Sequence, residues 1–437
     1  MYLVYGLGAS GNACLNLLQK ENLEVAIFDD NKIVCPLNVE DRSGKSVGEA
    51  LKDVTTLVLS PSINISNLLV CEARKLKIEI IGEIELAYRF CKAKICAITG
   101  TNGKTTTTML INHIFNFCGV NSYALGNIGV PFASMALDVK KRDAVILEVS
   151  SFQLETTEKF APNIAICLNI TPDHLERHKT FLEYVKTKLS IFEMQKSADY
   201  AILNYDDEIL RGVTNLRAQT YYYSTKEHVK GCYIEKGNVY FDDGLNVELI
   251  CAKSDLNISY LHNLSNALAC LLVAKIKKFN MQTVVSLIAD FHFPRHRIEY
   301  FGCYAGKRFF NDSKATNVHS TEVAINVMQG KTCLIMGGYD KGLSYFTLFN
   351  SMPTNITHIL FVGANKQKLS EVVPIKRSFA ISVFENIYDA VFYSLSLEVE
   401  NVLFSPATSS FDSFNNYEER GDYFIGLVKE MNGEQVK

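Results

Sequence analysis

Two glycine-rich turns constrain this chain more than any other feature, because each follows an apolar run and opens a helical pattern. The first is Gly6-Leu7-Gly8-Ala9-Ser10-Gly11, after the run Tyr2–Tyr5 and at the start of the helical segment Gly11–Lys20. The second is Gly100-Thr101-Asn102-Gly103-Lys104-Thr105-Thr106, between Ile95–Thr99 and the helical segment Lys104–Phe117. A strand that feeds a helix through glycines brings backbone N–H groups to the positive helix end, where phosphates bind. Further short apolar runs stand at Glu24–Phe28, Thr56–Ser60, Ala144–Val149 and Asn163–Asn169, and they alternate with longer periodic segments such as Asn263–Phe279. That alternation predicts α/β architecture with largely parallel sheets.

The first turn is a GxGxxG sequence whose glycines permit a tight turn and close approach to a diphosphate. Asp29 and Asp30 end the next strand, about eighteen residues on, where an acid can accept hydrogen bonds from a ribose. Alone, this fits a nicotinamide or flavin enzyme, a site for another nucleotide diphosphate, or a packing turn with no ligand. The second turn is a phosphate loop in which the first glycine lies nearer the lysine than in GxxxxGK[ST]. Its N–H groups would cradle phosphates, Lys104 would reach the transferable one, and Thr105 could hold Mg²⁺. A dehydrogenase has no use for the second loop, and a simple ATPase has none for the first. An ATP-driven ligase with a nucleotide-linked substrate uses both.

Composition narrows the setting. A chain of 437 residues suggests about three domains. Boundaries are expected near residues 92 and 294, giving segments 1–92, 93–294 and 295–437. The stretch from Tyr200 to Ser259 reads as an antiparallel appendage of the middle segment. With 48% apolar and 21% charged residues, disordered and fibrous classes are excluded. The net charge of −3, with no basic block, argues against an electrostatic nucleic-acid binder. Twelve cysteines without a CxxC pair read as buried, reduced thiols rather than a disulfide framework or zinc ribbon. No signal-peptide pattern or membrane-length apolar run is visible, so a cytoplasmic protein without a membrane contact is expected.

Other residues carry chemistry. Glu148, in Glu148-Val149-Ser150-Ser151-Phe152-Gln153-Leu154, ends a strand and could ligate Mg²⁺. The alternative is a helix capped by Ser150 or Ser151 with an incidental acid. His174 and His178 lie four apart in Asn169-Ile170-Thr171-Pro172-Asp173-His174-Leu175-Glu176-Arg177-His178, but HExxH is absent, which disfavours zinc. His174 reads better as a ligand to a second cation. In Gly126-Asn127-Ile128-Gly129, Asn127 could reach a substrate phosphate or carboxamide, or the segment could be only a turn.

The segments GTNGKTT, GNIG, EVSSFQLE, NITPDHLERH, HNLSNALA, PRHRIE, NDSKATN and SPATSSFDSFNNYEERG occur in order, and together they resemble the Mur ligase family across essentially the whole chain. The resemblance implies three domains: an N-terminal Rossmann-like domain that binds UDP, a central P-loop ATPase-like domain, and a C-terminal Rossmann-like domain that receives an amino acid. The GxGxxG turn is thereby reassigned to UDP. The implied activity is ATP-dependent amide ligation in peptidoglycan precursor synthesis, with two Mg²⁺ ions, by a cytoplasmic monomer without nucleic-acid partners. EVSSFQLE, NDSKATN with the following Ser320-Thr321-Glu322, and SPATSSFD imply addition of D-glutamate to UDP-N-acetylmuramoyl-L-alanine through an acyl phosphate.

The resemblance also assigns residues. ATP is implied at Thr101, Asn102, Gly103, Lys104, Thr105, Thr106, Thr107, Asn266, Arg297 and Asp312. The UDP substrate is implied at Ala9, Ser10, Asp29, Asp30, Asn127 and Ser150. D-Glutamate is implied at Thr316, Lys341, Ser410 and Tyr417, the last standing where the family has phenylalanine. Metal is implied at Thr105, Glu148, His174 and Lys188, and catalysis at Lys104, His174 and Lys188. Lys188 matches a lysine that the family modifies to a carbamate, an anionic oxygen ligand. Thr187 stands where alanine is common, and nearby Lys186 leaves a one-step alternative. Ser62 replaces a usual glycine after Pro61.

Overall fold

The computed structural model describes residues 1–31, 39–258, 260–292, 295–340 and 342–433. Lys341, Ser259 and the expected boundary at Phe293-Pro294 lie outside the described residues.

Three α/β sheets follow one another along the chain. The first contains β1 (Tyr2–Tyr5), β2 (Val25–Phe28), β3 (Glu40–Asp41), β4 (Thr56–Leu59) and β5 (Glu79–Gly82), all parallel, in the order β3-β2-β1-β4-β5. Strand order reverses at β1, and the Gly6–Gly11 turn leaves its carboxyl end, the place where open parallel sheets bind ligands.

The second sheet contains β6 (Lys94–Thr99), β7 (Ser122–Gly126), β8 (Ala144–Glu148), β9 (Ile164–Cys167), β10 (Tyr200–Asn204), β11 (Gln219–Ser224), β12 (Gly231–Glu235), β13 (Asn238–Asp242) and β14 (Val247–Ala252). Its order is β14-β13-β12-β11-β10-β9-β6-β8-β7. Because β6 lies between β8 and β9, the phosphate loop, Glu148 and the Asn169–His178 segment all emerge at one edge. Side chains alternate across the pleat. Ala97 of β6 faces a core that also holds Val4, Ile27 and Val58 of the first sheet. Cys96 and Ile98 face the opposite core, with Leu110 and Ile111 of the helix Lys104–Phe117. A strand buried on both faces must be apolar throughout, which is why β6 reads as a continuous run.

The segment after Tyr200 differs from the expected antiparallel appendage. Strands β10, β11 and β12 extend the parallel sheet, and antiparallel pairing is confined to β12 with β13 and β13 with β14. The hairpin from β12 to β13 turns at Lys236-Gly237, both with positive φ, the two-residue geometry that suits strand twist.

The third sheet contains β15 (Glu299–Tyr304), β16 (Lys307–Asn311), β17 (Thr332–Met336), β18 (Ile356–Phe361), β19 (Ala380–Val383) and β20 (Asn401–Phe404). Its order is β15-β16-β20-β17-β18-β19, with only β15 antiparallel. By compactness the chain forms two units, Met1–Phe291 and His292–Lys437. The cysteine expectation needs correction: six of the described cysteines are buried, four are half-buried and Cys303 is exposed. None of the described ones is in a disulfide.

Candidate active site

The first loop is held from within its own sheet. Leu7 N–H donates to Asp29 Oδ2 at 2.7 Å, and Tyr5 O–H donates to Asp30 Oδ2 at 2.6 Å. Ala9 and Ser10 open the helix Ala9–Lys20. A Cβ on Gly11 would lie 1.8 Å from Gly6 O, so only glycine lets this helix sit so close to the turn.

The second loop is more heavily tied. Asn102 N–H donates to Asn169 Oδ1 at 2.8 Å, and Asn169 Nδ2 donates back to Asn102 O at 3.0 Å. Thr101 Oγ1 donates to Thr171 O at 3.1 Å, accepts from Thr171 N–H at 3.0 Å, and lies 3.0 Å from the Tyr184 hydroxyl. Gly103 has φ +86° as it caps the helix Lys104–Phe117, and a Cβ there would meet Asn266 Oδ1 at 2.6 Å. Asn266 therefore rests against the loop, on the helix Leu261–Ile276. Thr105 stands in that first turn, and Thr106 and Thr107 are buried there.

Two lysines converge on one carbonyl. Lys104 Nζ donates to Gly100 O at 2.9 Å and to Thr101 O at 3.0 Å, and Lys188 Nζ donates to Gly100 O at 2.9 Å. Lys188 is buried at the end of the helix Phe181–Leu189, 4.8 Å above the Tyr184 ring. Burial, with Lys104 beside it, brings its amine down to about 7, against weaker opposing effects that include Asp173 and Glu148. Lys186, the alternative, is paired with Glu183 on the exposed side of the same helix.

Glu148 is buried at the end of β8. Asn127 Nδ2 donates to its Oε1 at 2.9 Å, whereas Oε2 is buried without a hydrogen-bond partner. An orphaned carboxylate oxygen beside a phosphate loop fits a cation. His174 caps the helix Leu175–His178 in a left-handed conformation, φ +53°. Its Nδ1 lies 3.5 Å from Glu176 Oε1, and Phe152 packs against the ring. Among the described residues, no three His, Cys, Asp or Glu side chains form a ready-made metal cluster. His178 turns instead to Ser151 Oγ at 3.0 Å and Glu155 Oε1 at 3.3 Å. Ser150 caps the helix Ser151–Leu154 in a reciprocal box with Gln153, so the capping alternative is realised beside a specifically held Glu148.

In the unit His292–Lys437, Asp312 and Ser405 follow the paired ends of β16 and β20. Ser405 Oγ donates to Asp312 Oδ2 at 2.6 Å. Burial pushes the Asp312 carboxyl up to about 7, opposed by that bond and by Arg297. Thr316 lies in the loop after β16, Ser410 in the loop after β20, and Tyr417 opens the helix Tyr417–Met431. Arg420 joins these segments, donating to Ser313 Oγ at 3.0 Å, Ser313 O at 2.7 Å and Ser409 O at 3.0 Å.

Sequence reasoning gave no role to Asn169, Arg177 or Arg420. Each lies inside a quoted motif, but its partners include groups of other segments, which spacing does not reveal.

A lysine-bearing phosphate loop beside an orphaned carboxylate, with a second glycine loop on a neighbouring sheet, is the equipment of a nucleotide-dependent α/β enzyme. Residues 98–274 match the family model of the Mur ligase middle domain, and residues 1–82 that of the Mur ligase MurD-like N-terminal domain. The chain is 37% identical over 447 residues to UDP-N-acetylmuramoylalanine--D-glutamate ligase of Thermoanaerobacter sp. (strain X514), covering 98% of each. Its fold is similar to a pseudomurein peptide ligase type C from Methanothermus fervidus, with TM-score 0.63, 17% identity, and 98% and 99% of the two chains covered. It is also similar to MurF ligase from Thermotoga maritima in complex with ADP, with TM-score 0.61, 14% identity, and 98% and 94% covered. The chain belongs to the Mur ligase family.

Proposed function

We propose that this chain is an ATP-dependent ligase that joins D-glutamate to UDP-N-acetylmuramoyl-L-alanine, forming ADP and phosphate, in peptidoglycan precursor synthesis. The observation that carries the reading is full-length similarity to a ligase of that name, with 98% of both chains covered. Lys104 in the phosphate loop, the buried Lys188 beside it and the orphaned Glu148 oxygen support the reading.

A free carboxylate is a poor electrophile because it has no good leaving group. In the proposed reaction a carboxylate oxygen of the alanyl group bonds to the γ-phosphorus of ATP, and the bond to the β-phosphate oxygen breaks, releasing ADP. The D-glutamate nitrogen then attacks the acyl carbon, loses a proton, and phosphate leaves. Two anions must approach one another in the first step. Lys104, whose ammonium donates to the loop carbonyls of Gly100 and Thr101, would offset that repulsion. The loop N–H groups at the start of the helix Lys104–Phe117 would hold the phosphates, with Asn266 packed behind Gly103.

Glu148 and Thr105 would hold one Mg²⁺, and His174 with a carbamylated Lys188 a second. Bound Mg²⁺ neutralises phosphate charge. A neutral amine is what adds to CO₂ with loss of a proton, and the buried environment of Lys188 favours the neutral form. Ala9, Ser10, Asp29 and Asp30 would bind the uridine nucleotide, with Asn127 and Ser150 towards the sugar and peptide. The family resemblance assigns Arg297 and Asp312 to ATP, and Thr316, Ser410 and Tyr417 to D-glutamate. We assign UDP binding to 1–92, ATP binding to 93–294 and amino-acid binding to 295–437, in a cytoplasmic monomer. No described helix is long and apolar enough to cross a membrane.

The test is product mass. With ATP, Mg²⁺, UDP-N-acetylmuramoyl-L-alanine and D-glutamate, the nucleotide product should gain one glutamyl residue. Phosphate release with no change in nucleotide mass would overturn the reading.

A further inference from the structure

The Arg177 guanidinium has only 9% of its side chain exposed, and it joins three segments of the unit Met1–Phe291. Nη1 donates to Pro61 O at 2.8 Å and Nη2 to Ile63 O at 3.0 Å, both in the loop after β4. Nε and Nη2 donate to Glu155 Oε2 at 2.9 and 2.7 Å. The guanidinium carbon lies 4.2 Å above the Phe152 ring, which also packs against His174 at 4.8 Å and His178 at 5.7 Å between centroids.

Ile63 packs against Gly6 of the first glycine loop, and Phe152 packs against His174. The residue before Pro61, Ser60, donates its N–H to Tyr5 O at 3.0 Å, directly beneath the Gly6–Gly11 turn. Arg177 itself stands one helical turn after His174, whose left-handed backbone is a conformation that a non-glycine residue holds only when its surroundings impose it. A planar guanidinium with fixed donor directions cannot follow one segment without pulling on the others. Lysine, with one flexible ammonium, could keep the Glu155 pairing without fixing both carbonyls.

We infer that Arg177 is a positioning residue that couples occupation of the first glycine loop to the arrangement of the phosphate-transfer centre around His174. A diphosphate drawn onto the first loop would settle the Ser60–Ile63 segment, and through Arg177 and Phe152 would settle His174. The inference rests on the assignment of the two loops to UDP and ATP.

The experiment measures binding of Mg²⁺ with a non-hydrolysable ATP analogue by calorimetry, with and without saturating UDP, in the parent and in Arg177→Lys. UDP alone is the probe because it lacks the carboxylate that would meet the ATP site directly. The parent should bind the analogue about fivefold or more tightly with UDP present, a typical size for coupled sites. In Arg177→Lys each ligand should bind alone within about twofold of the parent, and the enhancement should vanish. If Arg177→Lys does not fold, Phe152→Leu is the second variant. It leaves the guanidinium bonds in place and should reduce the enhancement by at least half on the same scale. Persistence of the full enhancement in a folded variant, or its absence from the parent when both ligands bind, would overturn the coupling. Failure of the parent to bind either ligand would overturn the loop assignments instead.

Discussion

The two glycine loops share a backbone plan and differ in what surrounds it. Each leaves a central parallel strand and opens a helix. Around the first, the anchoring groups are carboxylates: Asp29 takes the Leu7 N–H and Asp30 the Tyr5 hydroxyl. Around the second, two lysines share the Gly100 carbonyl, and a buried carboxylate stands by with an open oxygen. In the proposed reaction the first would hold the uridine nucleotide in place. The second would there present the Lys104 ammonium where a phosphoryl group moves. The backbone plan is shared, and the side chains behind each loop are what set the two apart.

Substitutions can break this contrast. Lys104→Ala should have the largest effect, lowering phosphate release by at least about 10²-fold while UDP affinity stays unchanged, as measured by turnover and UDP titration. A matched loss of UDP affinity would mean that the loops are not separate in role. Lys188→Ala should come next, with a large loss in kcat that acetate partly restores by replacing a carboxylate oxygen. Activity that stays at the parent level would remove the carbamate from the account. Asp29→Ala should raise KM for the UDP substrate about tenfold through loss of a charged hydrogen bond, with kcat nearly unchanged.

Much of the contrast was legible in the sequence. The helix Lys104–Phe117 and the strand Tyr2–Tyr5 were readable to the residue, because glycines and apolar runs punctuate them. Lys104 at a helix start and Glu148 at a strand end stood out because their types and positions suit phosphate and metal chemistry. The groups that fix them did not. Asn169 locks the phosphate loop through reciprocal bonds across 67 residues, and Arg177 reaches Pro61 O across 116. Such bonds depend on which strand ends the sheet order brings together, and local pattern carries none of that. The parallel pairing of β10, β11 and β12 was hidden for the same reason, since short strands of tyrosine and valine look alike in either direction.

The smallest effect lies in the unit His292–Lys437. The Asp312 carboxyl is raised by burial to about 7. Between its ordinary value and about 7, the folded chain keeps a proton that the unfolded chain releases, so stability falls as pH rises through that window. Asp312→Asn should flatten this part of the Tm-against-pH curve, and an unchanged slope would place the dependence elsewhere.

The most direct test of the central claim is ATP-dependent phosphate release with UDP-N-acetylmuramoyl-L-alanine, comparing D-glutamate, L-glutamate and no amino acid. The account predicts sustained release with D-glutamate and only background in the other two. Equal release with L-glutamate, or none with either isomer in a folded chain that binds ATP, would contradict it.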